Sequence, residues 1–388
     1  MDPIRNPYVP GAGRRPSALV GRDPVIRDWT ISLQRAEAGR TDQPMILYGL
    51  RGVGKTVLLT RLRKDAAARD WLTVHVEAGS RRSLREMTGE GLYGPLSDLA
   101  RPSAGSQLLR ALKTALSFKA SYDSTGTWSF GLDLSGASGG AANSGVLLTD
   151  LTTVVHDVAM AAGESGAGLA VLIDEAQDLT ADELTTLAAI MQSVATDDVP
   201  ALFALAGLPS LPQTLAEAKS YSERFRYHPI EKLGRSEAEA ALVEPASGEG
   251  VRWTGDALSH VVAAAGTYPY FLQQFGQESW NVADGTTIEV NDARLGVALG
   301  QNHLDNGFFR ARWDRTTGAE KSYLRAMCPE GDRSVATGEV AARLGRSVGS
   351  LGPARATLIH KGLIYAPDHG IVAFTVPGMA AFIDRQVP

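Results

Sequence analysis

The amino-acid sequence predicts an α/β protein with a doubly wound parallel sheet, followed by a smaller helical part and a C-terminal unit of helices and a hairpin. Two observations predict the sheet: five short apolar runs have the length of buried strands, and they alternate with stretches of helical periodicity. A third observation is that helical periodicity replaces this alternation from about residue 235 onward. At 388 residues the chain is also too long for one core of ordinary size, so we expect two or three domains.

The composition limits the classes of partner. With a formal net charge of -5, the whole protein should not attract nucleic acid or an acidic membrane, so any such contact must be local. The single cysteine, Cys328, excludes an internal disulfide framework and a multi-cysteine metal site. No apolar run approaches the length of a membrane span, and residues 1–18 have the composition of a coil rather than a signal peptide. We therefore expect a cytoplasmic protein without a membrane partner.

The first predicted strand, Met45–Tyr48, leads into a glycine-rich loop and then a helical pattern. The loop and the first helical residues are Gly49, Leu50, Arg51, Gly52, Val53, Gly54, Lys55, Thr56 and Val57. They match the phosphate-binding pattern G-x-x-x-x-G-K-S/T at every fixed position, although a chance glycine-rich turn is the alternative. Glycines let backbone N–H groups surround phosphate oxygens, Lys55 would reach the β- and γ-phosphates, and Thr56 would ligate Mg2+. The pattern predicts a clamp for the phosphates of a nucleotide.

An acidic pair follows another predicted strand. The unbroken apolar run Leu169–Ile173 is typical of a strand buried in a parallel sheet, and Asp174 and Glu175 come directly after it. This carboxyl end is the edge at which open α/β sheets bind ligands. Asp174 would hold Mg2+, directly or through water, and Glu175 would orient and polarise the attacking water. The alternative is an acidic strand end that caps the helix beginning near Ala181.

The remaining core elements complete the predicted sheet. Further strands are expected at Leu72–Glu77, Pro200–Gly207 and Tyr227–Ile230. The intervening helices are predicted at 83–100, 107–116 and 146–162. Residues 117–144 are dense in Ser and Gly, which predicts a flexible insertion that could carry a hairpin or contact a partner.

The C-terminal half is predicted to be mainly helical. Four helical patterns, near 236–243, 255–265, 270–282 and 291–308, indicate a small lid, with Pro269 at the start of the third. Three more patterns follow, near 319–327, 336–344 and 349–361. The runs Gly362–Tyr365 and Ile371–Thr375, separated by a turn, then predict a hairpin, and three helices with a hairpin form a winged helix.

With these residues located, the chain resembles AAA-type P-loop ATPases of the origin-recognition-like and STAND-like groups, and more closely actinobacterial ATP-binding proteins. The resemblance covers nearly the full length, through the segments NPYVPGAGRRP, GLRGVGKTVLL, LIDEAQDL, AGLPSLPQTL, AKSYSERFRY, GTYPYFLQ and KGLIYAP. It implies the P-loop NTPase fold, with ATP and Mg2+ as ligands. The implied division is an N-terminal coil 1–18, an AAA-type core 19–234 containing the insertion 117–144, a helical lid 235–314 and a winged-helix domain 315–388.

The resemblance also implies roles for single residues. Gly21 and Arg22 would lie near the base of the nucleotide. Arg224 lies where this class often places an arginine that acts on the γ-phosphate of a neighbouring subunit, with Arg226 as the second choice. For both arginines a surface ion pair is the alternative.

Two departures from the pattern of the family bear on turnover. The strand ending Leu205–Gly207 lacks the usual polar residue that touches the γ-phosphate, and only Ser210 is nearby. The lid has Gly266-x-x-Pro269 in place of an arginine, nearer the STAND pattern in which this proline packs against the nucleotide. We therefore expect a slow, partner-stimulated ATPase that acts as a switch.

Two functions compete for the C-terminal unit. The four basic residues Arg343, Arg346, Arg355 and Lys361 lie where no acidic residue occurs between Glu339 and Asp368, with His360 beside them. Residues 315–388 hold nine Lys or Arg and six Asp or Glu, a balance of 9 - 6 = +3, as a surface for double-stranded DNA requires. The alternative is a STAND-like signalling or assembly switch whose winged helix serves packing or regulation without nucleic acid. A weaker third hypothesis is a chaperone or helicase-loading role, which requires ATP-dependent homo-oligomers.

Overall fold

The computed structural model describes residues 1–11, 13, 16, 18–40, 42–79, 82–99, 105–122 and 141–386. Most of the predicted insertion, residues 123–140, lies outside this description. At its start, residues 117–120 are not part of a loop, because they continue the preceding helix to Ala120.

A five-stranded parallel sheet forms the centre of the first half of the chain. Its strands in chain order are β1 Met45–Tyr48, β2 Leu72–Glu77, β3 Leu169–Asp174, β4 Ala201–Gly207 and β5 Arg226–Pro229. Their order in the sheet is β2-β3-β4-β1-β5, and each neighbouring pair is parallel. The prediction of a P-loop NTPase fold with a doubly wound parallel sheet is confirmed. Because all five strands run in the same direction, the residues that follow β1 and β3 lie at the same carboxyl edge of the sheet. Strand β4 lies between these two strands.

Helices cover both faces of this sheet. In chain order they are α1 Asp23–Glu37, α2 Lys55–Ala67, α3 Leu84–Leu99, α4 Ser106–Ala120, α5 Leu147–Gly163, α6 Ala181–Thr196 and α7 Leu211–Ala218. Successive residues of a strand point to opposite faces. In β1, Ile46 packs into the core with α3 to α6, whereas Leu47 packs into the core with α1 and α2. Every residue of β3 and β4 is buried, which explains their unbroken apolar runs.

A helical lid follows the sheet. Its helices are α8 Arg235–Gly248, α9 Gly255–Ala265, α10 Pro269–Val282 and α11 Val290–His303, followed by a π-helical turn Leu304–Phe309 and the short α12 Arg310–Trp313. A pair of two-residue strands, β6 Arg252–Trp253 and β7 Thr287–Ile288, braces this lid. The lid shares one continuous hydrophobic core with the α1 and α2 face of the sheet.

The N-terminal segment predicted as a coil is fastened to the lid. Tyr8 is 1% exposed, its hydroxyl donates to the carbonyl of Leu242, and it accepts from the indole of Trp253 at 2.9 Å. The Asn6 amide donates to the carbonyl of Gln277 at 3.0 Å. Residues 6–8 therefore hold the segment that follows them against the lid.

The C-terminal part contains four helices and a small antiparallel sheet. The helices are α13 Gly318–Met327, α14 Thr337–Arg343, α15 Val348–His360 and α16 Met379–Gln386. The strands β8 Val335–Ala336, β9 Ile364–Tyr365 and β10 Ile371–Phe374 form a sheet in the order β8-β10-β9. Helix α16 was not predicted; Phe382 on it stacks on Phe309 of the π-helical turn at 5.3 Å, which fixes this part to the lid. Within the described ranges, no helix has the length and apolar character needed to cross a membrane.

Candidate nucleotide-binding site

A cavity of about 200 Å3 lies at the carboxyl edge of the sheet. Its floor is the loop after β1, from Arg51 to Val57, together with Glu175 after β3. Its walls come from four other parts of the chain: the N-terminal segment from Val9, the region of α8 with Leu233 and Ala241, the start of α10, and α12 with Phe308 before it. Four segments that are distant in sequence thus enclose the loop that was predicted to hold phosphates.

The backbone of the loop is fixed by close contacts with neighbouring elements. A Cβ placed on Gly49 would lie 2.1 Å from the carbonyl oxygen of Ile230, so no other residue fits at this position without moving the chain after β5. The Gly49 N–H donates to the carbonyl of Gly207, at the end of β4, at 3.1 Å. The Arg22 guanidinium donates to the carbonyls of Val53 at 3.0 Å and Glu231 at 2.7 Å. These contacts hold the loop against β4, β5 and the segment before α1.

Lys55 is the first residue of α2 and is 6% exposed. Its Nζ donates to the carbonyls of Gly49 and Leu50, each at 2.8 Å. Burial lowers the pKa of Lys55 to about 8; the carboxylates of Glu175 and Asp174 act against this shift, and Arg51 adds to it. The ammonium is therefore held inside the loop in a position that phosphate oxygens can take over from the two carbonyls.

The acidic pair lies where the sequence placed it. Asp174 ends β3, is 4% exposed, and accepts the backbone N–H of Glu175 at 2.9 Å. Glu175 has a φ of 49°, in the left-handed region, which turns its side chain out of the strand direction. One of its oxygens lies 3.4 Å from the Arg51 guanidinium, and the other accepts from the Gln177 amide at 2.7 Å. Gln177 in turn accepts the Leu208 N–H at 2.9 Å, so Glu175 is tied to both the loop and the end of β4.

The remaining wall of the cavity holds the residues assigned to the base. Pro269 is the first residue of α10 and lines the cavity together with Tyr270 and Gln273. Gln273 accepts the backbone N–H of Val9 at 3.1 Å, which draws the N-terminal segment over the cavity. Arg22 also lines the cavity, with Gly21 directly before it. Burial lowers the pKa of Arg22, against the charge of Glu237.

The loop also touches the C-terminal part of the chain, which the sequence did not indicate. The Arg51 N–H donates to the carbonyl of Thr375 at 3.1 Å. The Arg51 guanidinium lies beside Gly362, where a Cβ would meet it at 2.7 Å. Thr375 is buried, and its hydroxyl donates to the Gly362 carbonyl at 2.7 Å. One residue of the loop therefore contacts Glu175, the turn between α15 and β9 at Gly362, and the residue that follows β10, Thr375.

Sequence reasoning missed the part that several residues play at the cavity or beside it. Arg51 occupies a variable position of the phosphate-binding pattern, so its contacts could not be expected from the pattern. Gln177 lies within the segment LIDEAQDL, which offered a signal, since it falls two residues after Glu175. Arg312 and Phe308 also line the cavity, and nothing in their local sequence indicates it.

Arg224 and Arg226 are not brought to this cavity. Both lie at the amino edge of the sheet, because Arg226 begins β5 opposite Met45, whereas the phosphate-binding loop follows the other end of β1. Arg226 pairs with Asp42 at 3.0 Å. Arg224 is exposed, and it forms no ion pair with any described residue. Of the two, Arg224 is the one available to a neighbouring molecule.

The four basic residues of the C-terminal part differ in their surroundings. Arg343, at the end of α14, lies 2.7 Å from Glu330 and 3.7 Å from Glu339. Lys361 lies 2.7 Å from Glu320 and also donates to the Arg315 carbonyl. The other two, Arg346 and Arg355, make no ion pair within the part of the chain that the structure describes.

The donor set of the loop fits Mg2+. Thr56 offers a hydroxyl in the first turn of α2, and Asp174 a carboxylate at the end of β3, both of them hard oxygen ligands. Over the described ranges, no group of three or more His, Cys, Asp or Glu comes together as a metal site of its own. Magnesium usually takes one or two protein oxygens and completes its shell with water and substrate phosphates. Two oxygens beside a phosphate-binding loop therefore suffice.

Comparison with known proteins agrees with this geometry. Residues 18–203 match the family described as AAA ATPase domain, and residues 306–383 match a domain of unknown function. No curated protein matches the sequence. Among solved structures, the chain is similar to the Walker-type ATPase paby2304 of Pyrococcus abyssi, with a TM-score of 0.60 and 16% identity over 95% of this chain and 97% of that one. At this identity the likeness concerns the fold alone.

Two further solved structures are similar, but their TM-scores lie below 0.5, which is too low to support a conclusion about this chain. One is Cdc6p from Pyrobaculum aerophilum, with a TM-score of 0.47 and 14% identity over 99% of this chain and 97% of that one. The other is the Aeropyrum pernix Orc1 protein in complex with DNA, with a TM-score of 0.46 and 16% identity over 96% and 94% of the two chains. The match over residues 18–203 and the five-stranded parallel sheet both agree with the P-loop NTPase fold.

Proposed function

We propose that the protein is an ATP-binding switch that hydrolyses ATP slowly and passes the state of its nucleotide to the C-terminal part of the chain. The observation that carries the proposal is the pair of contacts made by Arg51. Its backbone N–H donates a hydrogen bond to the carbonyl of Thr375, and its guanidinium lies 3.4 Å from a carboxylate oxygen of Glu175. A phosphate that enters the loop must change the surroundings of Arg51. Any movement of Arg51 would alter its contact with Glu175 and its contact with Thr375.

The chemistry of ATP binding follows from the loop. Lys55 exchanges its two carbonyl partners for β- and γ-phosphate oxygens, and the N-terminus of α2 directs its partial positive charge at the same anion. Thr56 and Asp174 would hold Mg2+, which neutralises charge on the phosphates when it is bound. Pro269 and the segment Gly21–Arg22 are proposed to enclose the base. Each of these groups comes from an element already held in place without nucleotide.

Hydrolysis is assigned to Glu175 as the residue that polarises the attacking water. Two restraints on this carboxylate favour slow turnover, because both of its oxygens already have partners, Arg51 and Gln177. In addition, β4 ends at Gly207, and Ser210 is the N-cap residue before α7, so the end of this strand offers the γ-phosphate few side-chain donors. A partner that moves Arg51 would free the carboxylate.

ATP binding and hydrolysis are tested with two variants. Lys55→Ala should lose nucleotide affinity by at least about 100-fold, because an ammonium that contacts two phosphates contributes two charge-assisted hydrogen bonds. Glu175→Gln should bind ATP as the wild type does and hydrolyse it about 100- to 10,000-fold more slowly. Binding is measured by titration calorimetry and hydrolysis by phosphate release. Equal hydrolysis by the wild type and Glu175→Gln would remove the assignment of Glu175.

Binding of double-stranded DNA is the second candidate function, and the C-terminal part is proposed to be its winged helix. The supporting observations are the three helices α13 to α15 with the strands β9 and β10, and the absence of ion pairs at Arg346 and Arg355 within the described residues. Both arginines lie in or next to α15, whose exposed face carries small residues such as Gly349, Gly352 and Ala356. A helix with small side chains and free arginines can approach a phosphate backbone closely.

The two uses of the C-terminal part predict different salt behaviour. A DNA-binding winged helix should shift a short duplex at low salt, and its affinity should fall steeply as salt rises. A STAND-like signalling or assembly switch should show no shift at low salt while keeping its ATPase activity. This proposal includes the finer relationship to the origin-recognition-like, STAND-like and actinobacterial groups. It also includes the domain limits between residues 18 and 19, 234 and 235, and 314 and 315.

A role for a second copy of the chain rests on Arg224. Since it lies at the amino edge of the sheet, it can reach a γ-phosphate only in a neighbouring subunit. Solution mass with a non-hydrolysable ATP analogue tests this. ATP-dependent oligomers that Arg224→Ala leaves assembled but inactive would support the assignment. A strictly monomeric mass would exclude it, together with the chaperone and helicase-loading hypotheses.

A further inference from the structure

Arg312 occupies a place in the nucleotide pocket that none of the sequence motifs indicates. It lies on α12, the short helix between the lid and the C-terminal helices, and lines the same cavity as Lys55 and Glu175. Its guanidinium lies 3.9 Å from the centre of the Phe308 ring, and one nitrogen donates to the Phe308 carbonyl at 2.6 Å. The group is therefore positioned by packing on an aromatic ring and by one backbone bond.

The charge of Arg312 is not matched by an acidic neighbour. No described carboxylate lies within ion-pair distance of it. Burial lowers the pKa of Arg312 to about 10, and the positive charges of Arg51 and Arg315 lower it further. Arg312 is half-buried, and a partly buried cation that has no acidic partner and lies beside other cations destabilises the folded state. An anionic ligand in the cavity would relieve this repulsion.

The position of Arg312 indicates which part of a nucleotide it would meet. The Phe308 ring, on which Arg312 packs, stacks on Tyr270 at 4.7 Å, and a Cβ on Gly52 of the loop would lie 3.3 Å from Tyr270. Arg51, directly before Gly52, lies 3.4 Å from Glu175. Glu175 is the residue assigned to the attacking water, which approaches the terminal phosphate from the side opposite the leaving group. Arg312 thus lies toward the terminal phosphate, whereas Pro269 and Arg22 line the part of the cavity assigned to the base.

We propose that Arg312 donates to the terminal phosphate of bound ATP and makes the protein prefer ATP over ADP. This inference rests on the proposed function, since it requires that the loop binds a nucleotide. Because α12 leads directly to α13, the contact would connect the γ-phosphate to the C-terminal part by a second route, independent of Arg51. Loss of the γ-phosphate would return Arg312 to its unpaired state.

The test compares affinities for Mg-ATP and Mg-ADP by titration calorimetry, in a Glu175→Gln background that prevents hydrolysis. Arg312→Gln should lower the affinity for ATP about 10- to 100-fold, the range expected for one charge-assisted hydrogen bond, and leave the affinity for ADP within about twofold. Arg312→Lys should lose part of the preference, since a lysine keeps the charge without the planar fork. Arg310→Gln, on the same helix but exposed, is the matched control and should change neither affinity.

The outcomes separate this inference from the proposed function. If the Glu175→Gln protein binds neither nucleotide, both proposals fail. If it binds both nucleotides and Arg312→Gln lowers the two affinities equally or leaves both unchanged, Arg312 serves packing on Phe308 and only this inference is overturned. Should Arg312→Gln fail to fold, as circular dichroism would reveal, the decision rests on Arg312→Lys. An unchanged ratio of ATP to ADP affinity in that variant overturns the proposal.

Discussion

The nucleotide cavity and the C-terminal basic surface both gather positive charge, but they differ in how much of it is already neutralised. In the cavity, Lys55 donates only to backbone carbonyls and Arg312 has no described carboxylate near it. In the C-terminal part, Arg343 and Lys361 are each paired with a glutamate at 2.7 Å. When only the Lys and Arg side chains are counted, both regions look equally positive. Lys55 and Arg312 thus leave positive charge for an anion in the cavity, although Arg51 there is paired with Glu175. In the basic surface only Arg346 and Arg355 make no ion pair with a described residue.

The geometry of the loop can be disturbed without changing the charge of the cavity. Gly52 has a φ of +86°, and a Cβ there would meet the Tyr268 ring at 3.1 Å. Gly52→Ala should therefore displace the loop and lower ATP affinity by about 10- to 100-fold, since a left-handed alanine costs ~1–2 kcal/mol before any contact with Tyr268 is counted. Titration calorimetry measures the affinity.

Gly345→Ala is the matched control for Gly52→Ala. Its φ is +62°, and nothing lies within 4 Å of the added Cβ, so it carries a similar backbone cost far from the loop. It should lower the melting temperature by a similar amount and leave ATP affinity unchanged. Equal loss of ATP affinity in the two variants would mean that the effect arises from general stability rather than from the geometry of the loop.

The second test uses the pKa of Lys55. Because burial lowers this pKa to about 8, Lys55 in the nucleotide-free protein loses its proton as the pH rises through 8. Phosphate oxygens require the charged form, so nucleotide binding above pH 8 must take up a proton. ATP affinity should be nearly constant below pH 7 and about tenfold lower at pH 9. Titration calorimetry in buffers of different ionisation enthalpy measures both the affinity and the proton uptake.

Lys55→Arg controls for other groups that titrate in this range. An arginine stays charged at pH 9, so whatever affinity this variant retains should lose the decrease above pH 8. A decrease of the same size in Lys55→Arg and in the wild type would assign the titration to another group and would remove the argument that the buried ammonium controls binding.

The third test concerns the basic surface of the C-terminal part. If the basic surface binds DNA, the double variant Arg346→Gln/Arg355→Gln removes the two charges without described ion pairs. It should weaken duplex binding about fivefold and reduce the slope of log affinity against log salt by about 2. Arg343→Gln/Lys361→Gln removes two paired charges and should lower stability more than DNA affinity. Equal loss of DNA affinity in both double variants would show that the intramolecular pairs do not decide which charges are available.

The sheet could be predicted because its determinants are local. The runs Leu169–Ile173 and Ala201–Gly207 are buried on both faces, and this burial makes them continuously apolar in the sequence. Strand β5 is less regular, with intermediate burial at Arg226 to His228, and its predicted limits were one residue late. Helix α16 was missed because the C-terminal residues were expected only to follow the hairpin.

The candidate site could be predicted only in part, for a similar reason. Lys55 and Thr56 follow from spacing within one loop, and Asp174 and Glu175 from the end of one strand. The contacts of Arg51 with Thr375 and the approach of Arg312 join residues more than 250 positions apart, and no periodicity or spacing encodes them. Whether a charged side chain has an ion-pair partner depends on tertiary contacts of this kind. The sequence alone therefore does not show which charges are available to a ligand.

Arg51 links the cavity to the C-terminal part of the chain. Arg51→Ala removes the guanidinium that lies between Glu175 and Gly362 while leaving the backbone bond to Thr375 possible. A partly exposed ion pair contributes ~0.2–1 kcal/mol, so releasing Glu175 should raise the basal rate of ATP hydrolysis about two- to fivefold. Arg61→Ala, which breaks the pair with Asp65 on the outer face of α2, should leave the rate unchanged. Arg51 stands between the carboxylate of Glu175 and the C-terminal part. A decrease in rate would therefore mean that its charge serves the reaction, and the restraint on Glu175 would have to be assigned to Gln177 alone.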